Sequence, residues 1–221
     1  GEEATTCREA GPWRDTSCWA ESAWISAVPK PYGIFLKSIL SHRTKNNVKA
    51  GEMENLNDIY TISLNPSIDY SFMLGEDIVY DDINRIKESR TDPGGKGLNV
   101  ARMLSGLGCR CTALALLGGE NGDRLKSLLE RENIRYRHVE IKGNSRSVYN
   151  FFSGEKVLRF NQAGPRISHL EKRMFFGLLE EIPFGIGDML SISGSLPRGL
   201  SVSTYRKIIE KSRGKGVYTV L

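Results

Sequence analysis

Among its four cysteines (Cys7, Cys18, Cys109, Cys111) the 221-residue sequence has no Cys-x-x-Cys pair, and its three histidines (His42, His138, His169) are scattered. A structural zinc needs clustered ligands at short spacing, so that class is excluded, and unpaired cysteines suit a reducing, cytoplasmic setting. No apolar run is long enough to span a bilayer: residues 34–40 fall far short of the roughly 20 required, and no charged-then-apolar leader precedes the folded part. Charge of one sign is nowhere concentrated. The formal +5 is spread out, with 7 Lys/Arg against 6 Asp/Glu in residues 1–52 and 24 against 20 in the remainder. A nucleic-acid or membrane surface needs clustered basic residues, so neither partner is expected, although a mild basic excess suits an anionic metabolite. The phosphate-binding patterns GxxxxGK[ST] and GxGxxG are both missing, as are internal repeats and low-complexity tracts.

Tryptophan is absent after Trp24, and methionine before Met53. Residues 1–52 thus hold all three tryptophans with little strand or helix periodicity, whereas a regular α/β pattern starts at Ile59. They read as an unrelated, unstructured extension, or as upstream sequence read through in frame with Met53 as the natural start; Gly51-Glu52 fits translation of a purine-rich ribosome-binding site. The competing reading is a small aromatic-bearing extension packed on the domain. The other end is as abrupt. Residues 217–221 are an apolar β-type run with nothing after it, which reads as truncation of a domain spanning 56–221.

What is present is most informative at Asp92-Pro93-Gly94-Gly95-Lys96-Gly97-Leu98-Asn99. Glycines without Cβ let main chain touch a ligand, and the helix that follows offers unpaired N–H groups and a positive dipole end. Val100, Leu104 and Leu107 recur at helical spacing, with Gly108 placed as a C-terminal cap. Strands are expected over 59–64, 111–117, 188–193 and 217–221, and helices over 123–132, 168–180 and 201–213. Shorter extended pieces near 70–74 and 84–89, with a hairpin over 147–152 and 156–161, form a separate β element. Alternating strands and helices predict a parallel sheet covered on both faces, and ligands of such sheets sit beyond the strands' carboxyl ends. Polar residues gather there: Asn65 and Asp69, Gly118 to Asn121, and Ser193-Gly194-Ser195-Leu196-Pro197. Each cluster alone is ordinary turn chemistry. Asp69 by itself reads as a turn or cap aspartate, and Arg146 as a solvated charge, although a guanidinium at a cleft mouth suits a phosphate.

Together, the run from Ile62 to Asp69, PGGKGLNVAR from Pro93 to Arg102, the stretch from Leu117 to Asp123 and SGSLPRG from Ser193 to Gly199 resemble the phosphofructokinase B family of ribokinase-like carbohydrate kinases. The nearest likeness is the 1-phosphofructokinase and tagatose-6-phosphate kinase branch. It covers about residues 59–221, the N-terminal half of such a domain. The resemblance implies a ribokinase-like three-layer α/β/α sandwich with a small β lid, and ATP- and Mg2+-dependent transfer of a phosphoryl group to a phosphorylated ketohexose in cytoplasmic fructose metabolism and glycolysis. It implies that Asp69, Gly94, Gly95 and Asn99 hold sugar hydroxyls with Lys96 nearby, that Arg146 grips the sugar's phosphate, that Ser193 and Ser195 line the same pocket, and that Arg85 is a further phosphate contact. Fructose 1-phosphate is the expected acceptor, fructose 6-phosphate or tagatose 6-phosphate the alternatives, and a non-catalytic sugar-phosphate binder the reading from another class. Pairing of two copies through the lid is also implied. The family's second signature, a Gly-x-Gly-Asp turn supplying the base, is read as absent, with base and ATP site expected beyond Leu221 and the 221 residues inactive by themselves.

Overall fold

The computed structural model describes residues 58–221, and the readings made for residues 1–52 and for Met53 as a start lie outside the described residues. Strand β1 (Ile59–Ser63) is buried at every position because it is central: β4 (Cys111–Leu117) lies on one side and β8 (Met189–Ile192) on the other. With β5 (Arg135–Glu140) and β9 (Tyr218–Val220) at the edges, the order is β5-β4-β1-β8-β9, all parallel. The chain runs outward from β1 to β4 and β5, then returns past β1 to β8 and β9. Right-handed crossovers therefore place helices α1 (Lys96–Gly106) and α2 (Gly119–Arg131) on one face and α3 (His169–Glu181) and α4 (Val202–Arg213) on the other.

Side-chain alternation along the strands fills both layers. Tyr60, Ile62, Leu114, Leu116, Leu190 and Ile192 join Phe175, Leu178, Leu179 and Ile208 in one core. The opposite layer buries Leu98, Ala101 and Leu104 from α1 and Leu125 and Leu129 from α2. At Gly97 the helix lies so close to β1 that a Cβ would strike the Ile62 carbonyl, which fixes how α1 meets the strand. The result is a mixed α/β architecture with a parallel sheet between helical layers, the arrangement expected from the sequence.

A second sheet, ordered β3-β2-β6-β7, combines β2 (Ser67–Leu74), β3 (Ile86–Gly94), β6 (Arg146–Ser153) and β7 (Lys156–Asn161). The hairpin pair and the two earlier pieces do form one β element, joined by parallel pairing of β2 with β6. Both earlier strands are longer than expected: β2 begins at Ser67 and β3 runs on to Gly94, so Asp69 sits inside a strand instead of in a turn. Tyr70 stacks on Tyr149 at 5.3 Å and Phe72 on Phe151 at 5.0 Å, giving the sheet one aromatic face. Strand β5 was not expected, because its sequence RYRHVE buries only Val139 and otherwise carries the polar side chains of an open edge. Helix α2 starts at Gly119, four residues before the expected Asp123, through a glycine-rich turn with weak helix propensity.

Helix α3 begins with a full capping box: Ser168 Oγ accepts from the Glu171 N–H, and the Glu171 carboxylate accepts from the Ser168 N–H and hydroxyl, at 2.6 Å each. Glu171 is buried and also accepts from the Lys142 N–H at 2.8 Å. Burial pushes its carboxyl up, but the hydrogen bonds from Ser168 and Lys142 outweigh that and hold it below the usual glutamate value. Glu171→Ala is expected to cost about 2–3 kcal/mol in chemical denaturation, because it leaves buried N–H groups unpaired. A folded value below the unfolded one means that this contribution is complete above about pH 4.3 and fades as pH falls through the lowered value.

Candidate functional site

The outward and return paths of the chain part between β1 and β8, so the carboxyl ends of these two strands flank a crevice. A cleft of about 230 Å3 opens there, lined by Ser63, Asn65, Gly95, Lys96, Arg146, Ser193, Gly194 and Ser195. Gly95, Lys96, Arg146, Ser193 and Ser195 are thus brought together from three separate stretches of sequence. Ser63 was not expected at the site, and Gly194 was noted only as part of its turn. Ser63 is hidden in an apolar strand run, and Gly194 shapes the turn after β8 with φ 112°, its carbonyl held by the Tyr205 hydroxyl at 3.1 Å.

The floor is built by close approach. Gly95 caps α1 with φ 109°, no side chain caps the helix, and its first turn holds no acidic residue, so first-turn N–H groups face the crevice unclaimed by a carboxylate. A Cβ on Gly95 would lie 2.9 Å from Ser63 Oγ and 3.1 Å from Pro66 Cα. Beside it, a Cβ on Gly94 would fall on the Asp69 carboxylate. Neither Asp69 nor Gly94 is among the lining groups: Asp69 packs against Gly94, one residue before lining Gly95, and is half-buried, with Ser67 Oγ donating to its Oδ1 at 2.6 Å. Burial pushes the Asp69 carboxyl up, while the Ser67 hydrogen bond and the Arg146 charge pull it down. Asn99 is one turn into α1, its N–H donating to the Gly95 carbonyl at 2.9 Å, and its side chain is not among the lining groups. Arg85 lies on an exposed stretch between β2 and β3, next to solvent-facing Ile83, and does not line the cleft.

Arg146 opens β6 and donates from Nε to the Asn65 carbonyl at 3.2 Å. Its neighbours are gripped by the start of α2: Asn121 Nδ2 donates to the Ser145 carbonyl at 2.6 Å, and the Ser145 N–H donates to the Gly118 carbonyl at 2.8 Å. Burial lowers its affinity for the proton, and the Asp69 charge opposes that. Asn65 Nδ2 donates to Ser195 Oγ at 3.0 Å, yet Asn65 Oδ1 and Ser193 Oγ are buried without partners. Unpaired buried acceptors are costly, so a ligand with hydroxyl donors would relieve them. The arrangement offers a carboxylate for hydroxyls, a guanidinium and a helix start for an anion, and small side chains between.

The reading that the chain has no Gly-x-Gly-Asp needs correction: Gly185-Ile186-Gly187-Asp188 matches it. This turn precedes β8 and so lies at the amino end of the sheet, opposite the cleft. Its Asp188 carboxylate accepts the N–H groups of Asp58 and Gly185, both at 2.8 Å, and closes a turn instead of starting a helix. Among the described residues, no cluster of three or more His, Cys, Asp or Glu could hold a metal ion. No helix among them is long and apolar enough to cross a membrane.

Comparison with solved structures points the same way. Phosphofructokinase-2 from Escherichia coli, solved in complex with fructose-6-phosphate, is 31% identical with a TM-score of 0.69 over 75% of this chain and 54% of its own. A protein from Thermotoga maritima described as a possible 1-phosphofructokinase is 25% identical with a TM-score of 0.65 over 74% of this chain and 52% of its own. The chain spans about half the length of these relatives. Residues 55–221 match the family described as pfkB family carbohydrate kinase, and the chain belongs to that family.

Proposed function

We propose that this chain supplies the sugar-phosphate-binding part of an ATP-dependent ketohexose-phosphate kinase, with fructose 1-phosphate as acceptor and fructose 1,6-bisphosphate as product. The observation that carries the reading is a cleft at the strands' carboxyl ends that brings Lys96, Arg146, Ser193 and Ser195 around unpartnered asparagine and serine oxygens, with Asp69 packed on Gly94 beside lining Gly95. In this reading Asp69 accepts two vicinal sugar hydroxyls, the main chain at Gly94 and Gly95 lies against the ring with Asn99 supporting that turn, Arg146 and Lys96 neutralise the sugar's phosphate, and Ser193 and Ser195 border the same pocket. Phosphoryl transfer depends mainly on positioning and charge neutralisation, which these groups supply for the acceptor. ATP and Mg2+ belong to the whole enzyme, and the base with them.

The phosphofructokinase-2 neighbour was solved with fructose-6-phosphate, which favours that acceptor as the second reading. Arg85, remote from its own cleft, is left without a role within one copy. The aromatic lid face of Tyr70, Phe72, Tyr149 and Phe151 is the surface we assign to pairing of two copies.

Calorimetric titration with fructose 1-phosphate, fructose 6-phosphate, tagatose 6-phosphate and fructose tests the assignment. Binding of the phosphorylated sugars, weakened about 10–100-fold by Arg146→Ala, is expected from the loss of a charge-assisted contact. A coupled ADP-release assay on the 221 residues should show no turnover. Equal binding of fructose and its phosphates would contradict the role of Arg146, and turnover abolished by Asp69→Ala would contradict the division of labour.

A further inference from the structure

Arg102 closes the PGGKGLNVAR stretch and lies two turns into α1, away from the cleft, yet its side chain is heavily committed. Its Nη2 reaches back to Asp92 Oδ1 at 3.3 Å, and its Nη1 to the Pro93 carbonyl at 3.5 Å, so it touches the two residues that lead into Gly94. On its other side Nε and Nη2 fork onto the carboxylate of Glu132, at the end of α2. One guanidinium therefore ties the last residues of lid strand β3 to both helices of the adjoining layer.

Asp92 matters because of what lies opposite. The β2 and β3 register sets Asp69 directly across from Asp92, and like charges in that relation destabilise a sheet. Two cations flank Asp92: Arg102, and Arg90, whose Nη2 donates to Asp92 Oδ1 at 2.7 Å. Arg90 is largely exposed, whereas Arg102 and Asp92 are mostly covered, so the screened Arg90 contact is the weaker of the two.

We propose that Arg102 is a positioning residue for the sugar site: it neutralises Asp92 and holds the Pro93-Gly94 backbone, so that Asp69 meets the sugar as a carboxylate seated on Gly94. This rests on the reading of Asp69 as the sugar-hydroxyl acceptor. The charges bearing on Asp69 are Arg146 from β6, Asp92 from β3 and Arg102 from α1. Burial is the main influence raising its carboxyl; Asp92 adds to the rise, and Arg146 and Arg102 oppose it. Without Arg102 the carboxyl rises further, and the ionised form is lost at a higher pH.

The test titrates the full chain and its Arg102→Ala, Arg102→Lys and Glu132→Gln variants with fructose 1-phosphate from about pH 4 to about pH 8, with thermal unfolding as a control for folding. Comparing each variant with the native chain at the same pH removes the ligand's own ionisation. Arg102→Ala is expected to bind about tenfold more weakly near neutrality, with a deficit that widens on acidification because the midpoint of the affinity loss moves up. Arg102→Lys should restore the midpoint and only part of the affinity, and Glu132→Gln should weaken binding with the native midpoint kept. An unmoved midpoint in Arg102→Ala, or a deficit equal at every pH, would overturn the inference. Should Arg102→Ala fail to fold, Arg102→Lys and Glu132→Gln decide it, and native-like affinity in both would refute it. A native chain that binds no hexose monophosphate would instead defeat the site reading on which the inference rests.

Discussion

Gly94→Val is expected to abolish hexose-phosphate binding, with affinity lowered at least a hundredfold, while the protein remains folded. The reason is the absence of room: even a single Cβ at this position falls on the Asp69 carboxylate, and valine adds two methyl groups. Asp69 has a short side chain that cannot retract, so it must rotate off the main chain or β3 must move from β2. Overpacking of this kind costs about 1–3 kcal/mol of stability, well below what most domains hold in reserve. The larger loss falls on binding, because the acceptor for the sugar hydroxyls is displaced from the helix start. Calorimetry and thermal unfolding on the same sample separate the two effects. Gly106→Ala is the control, since a Cβ there meets nothing within 4 Å. Native affinity in Gly94→Val would show that the closeness of Asp69 to Gly94 has no bearing on the ligand.

Asp69→Asn is expected to divide stability from binding in opposite directions. Asparagine keeps an acceptor for Ser67 Oγ but loses the charge, and two hydroxyl contacts to a carboxylate at about 1.5 kcal/mol or more each imply roughly a hundredfold weaker binding. Stability should change the other way. Burial raises the folded value of the Asp69 carboxyl, so the fold favours the protonated form, and the native protein loses stability as pH rises from about 3.9 through that raised value. Asp69→Asn escapes this, so its unfolding temperature should exceed the native one near neutrality and the advantage should vanish below about pH 3.9. Such a trade is common where a charge is held in place for a ligand. An unfolding temperature below native at neutral pH would mean that the carboxylate is stabilising where it stands.

How much of this was legible in the sequence depends on which force placed each residue. Strand β4 was bounded correctly because Cys111 to Leu117 is apolar on both faces, as a central parallel strand must be. The Gly94-Gly95-Lys96-Gly97 loop stood out because only contact with neighbouring groups explains so many missing Cβ atoms, and the structure supplies those neighbours in Asp69, Ser63 and Ile62. Strand β5 escaped notice because an edge strand, wetted on one side, loses the pattern that marks a buried one. Asp69 was taken as following a strand because the Asn65-Pro66 turn suggested an end, whereas pairing with β3 and β6 resumes at once. Arg102 was quoted in a motif without a role, since its partners Asp92 and Glu132 are brought to it only by packing of α1 between β3 and α2. Gly185 to Asp188 teaches the converse. Four letters that match a functional turn close a bend at the wrong end of the sheet, and only their placement tells the two apart.

The central claim, that Asp69 and Arg146 hold the two ends of one phosphosugar above Gly94 and Gly95, is tested most directly by a crystal structure of the chain with fructose 1-phosphate bound. The account predicts both Asp69 carboxylate oxygens within hydrogen-bond distance of neighbouring sugar hydroxyls and the phosphate against the Arg146 guanidinium, with Asn65 Oδ1 or Ser193 Oγ now partnered. A sugar phosphate seated elsewhere, or one in this cleft with Asp69 turned away from it, would contradict the account.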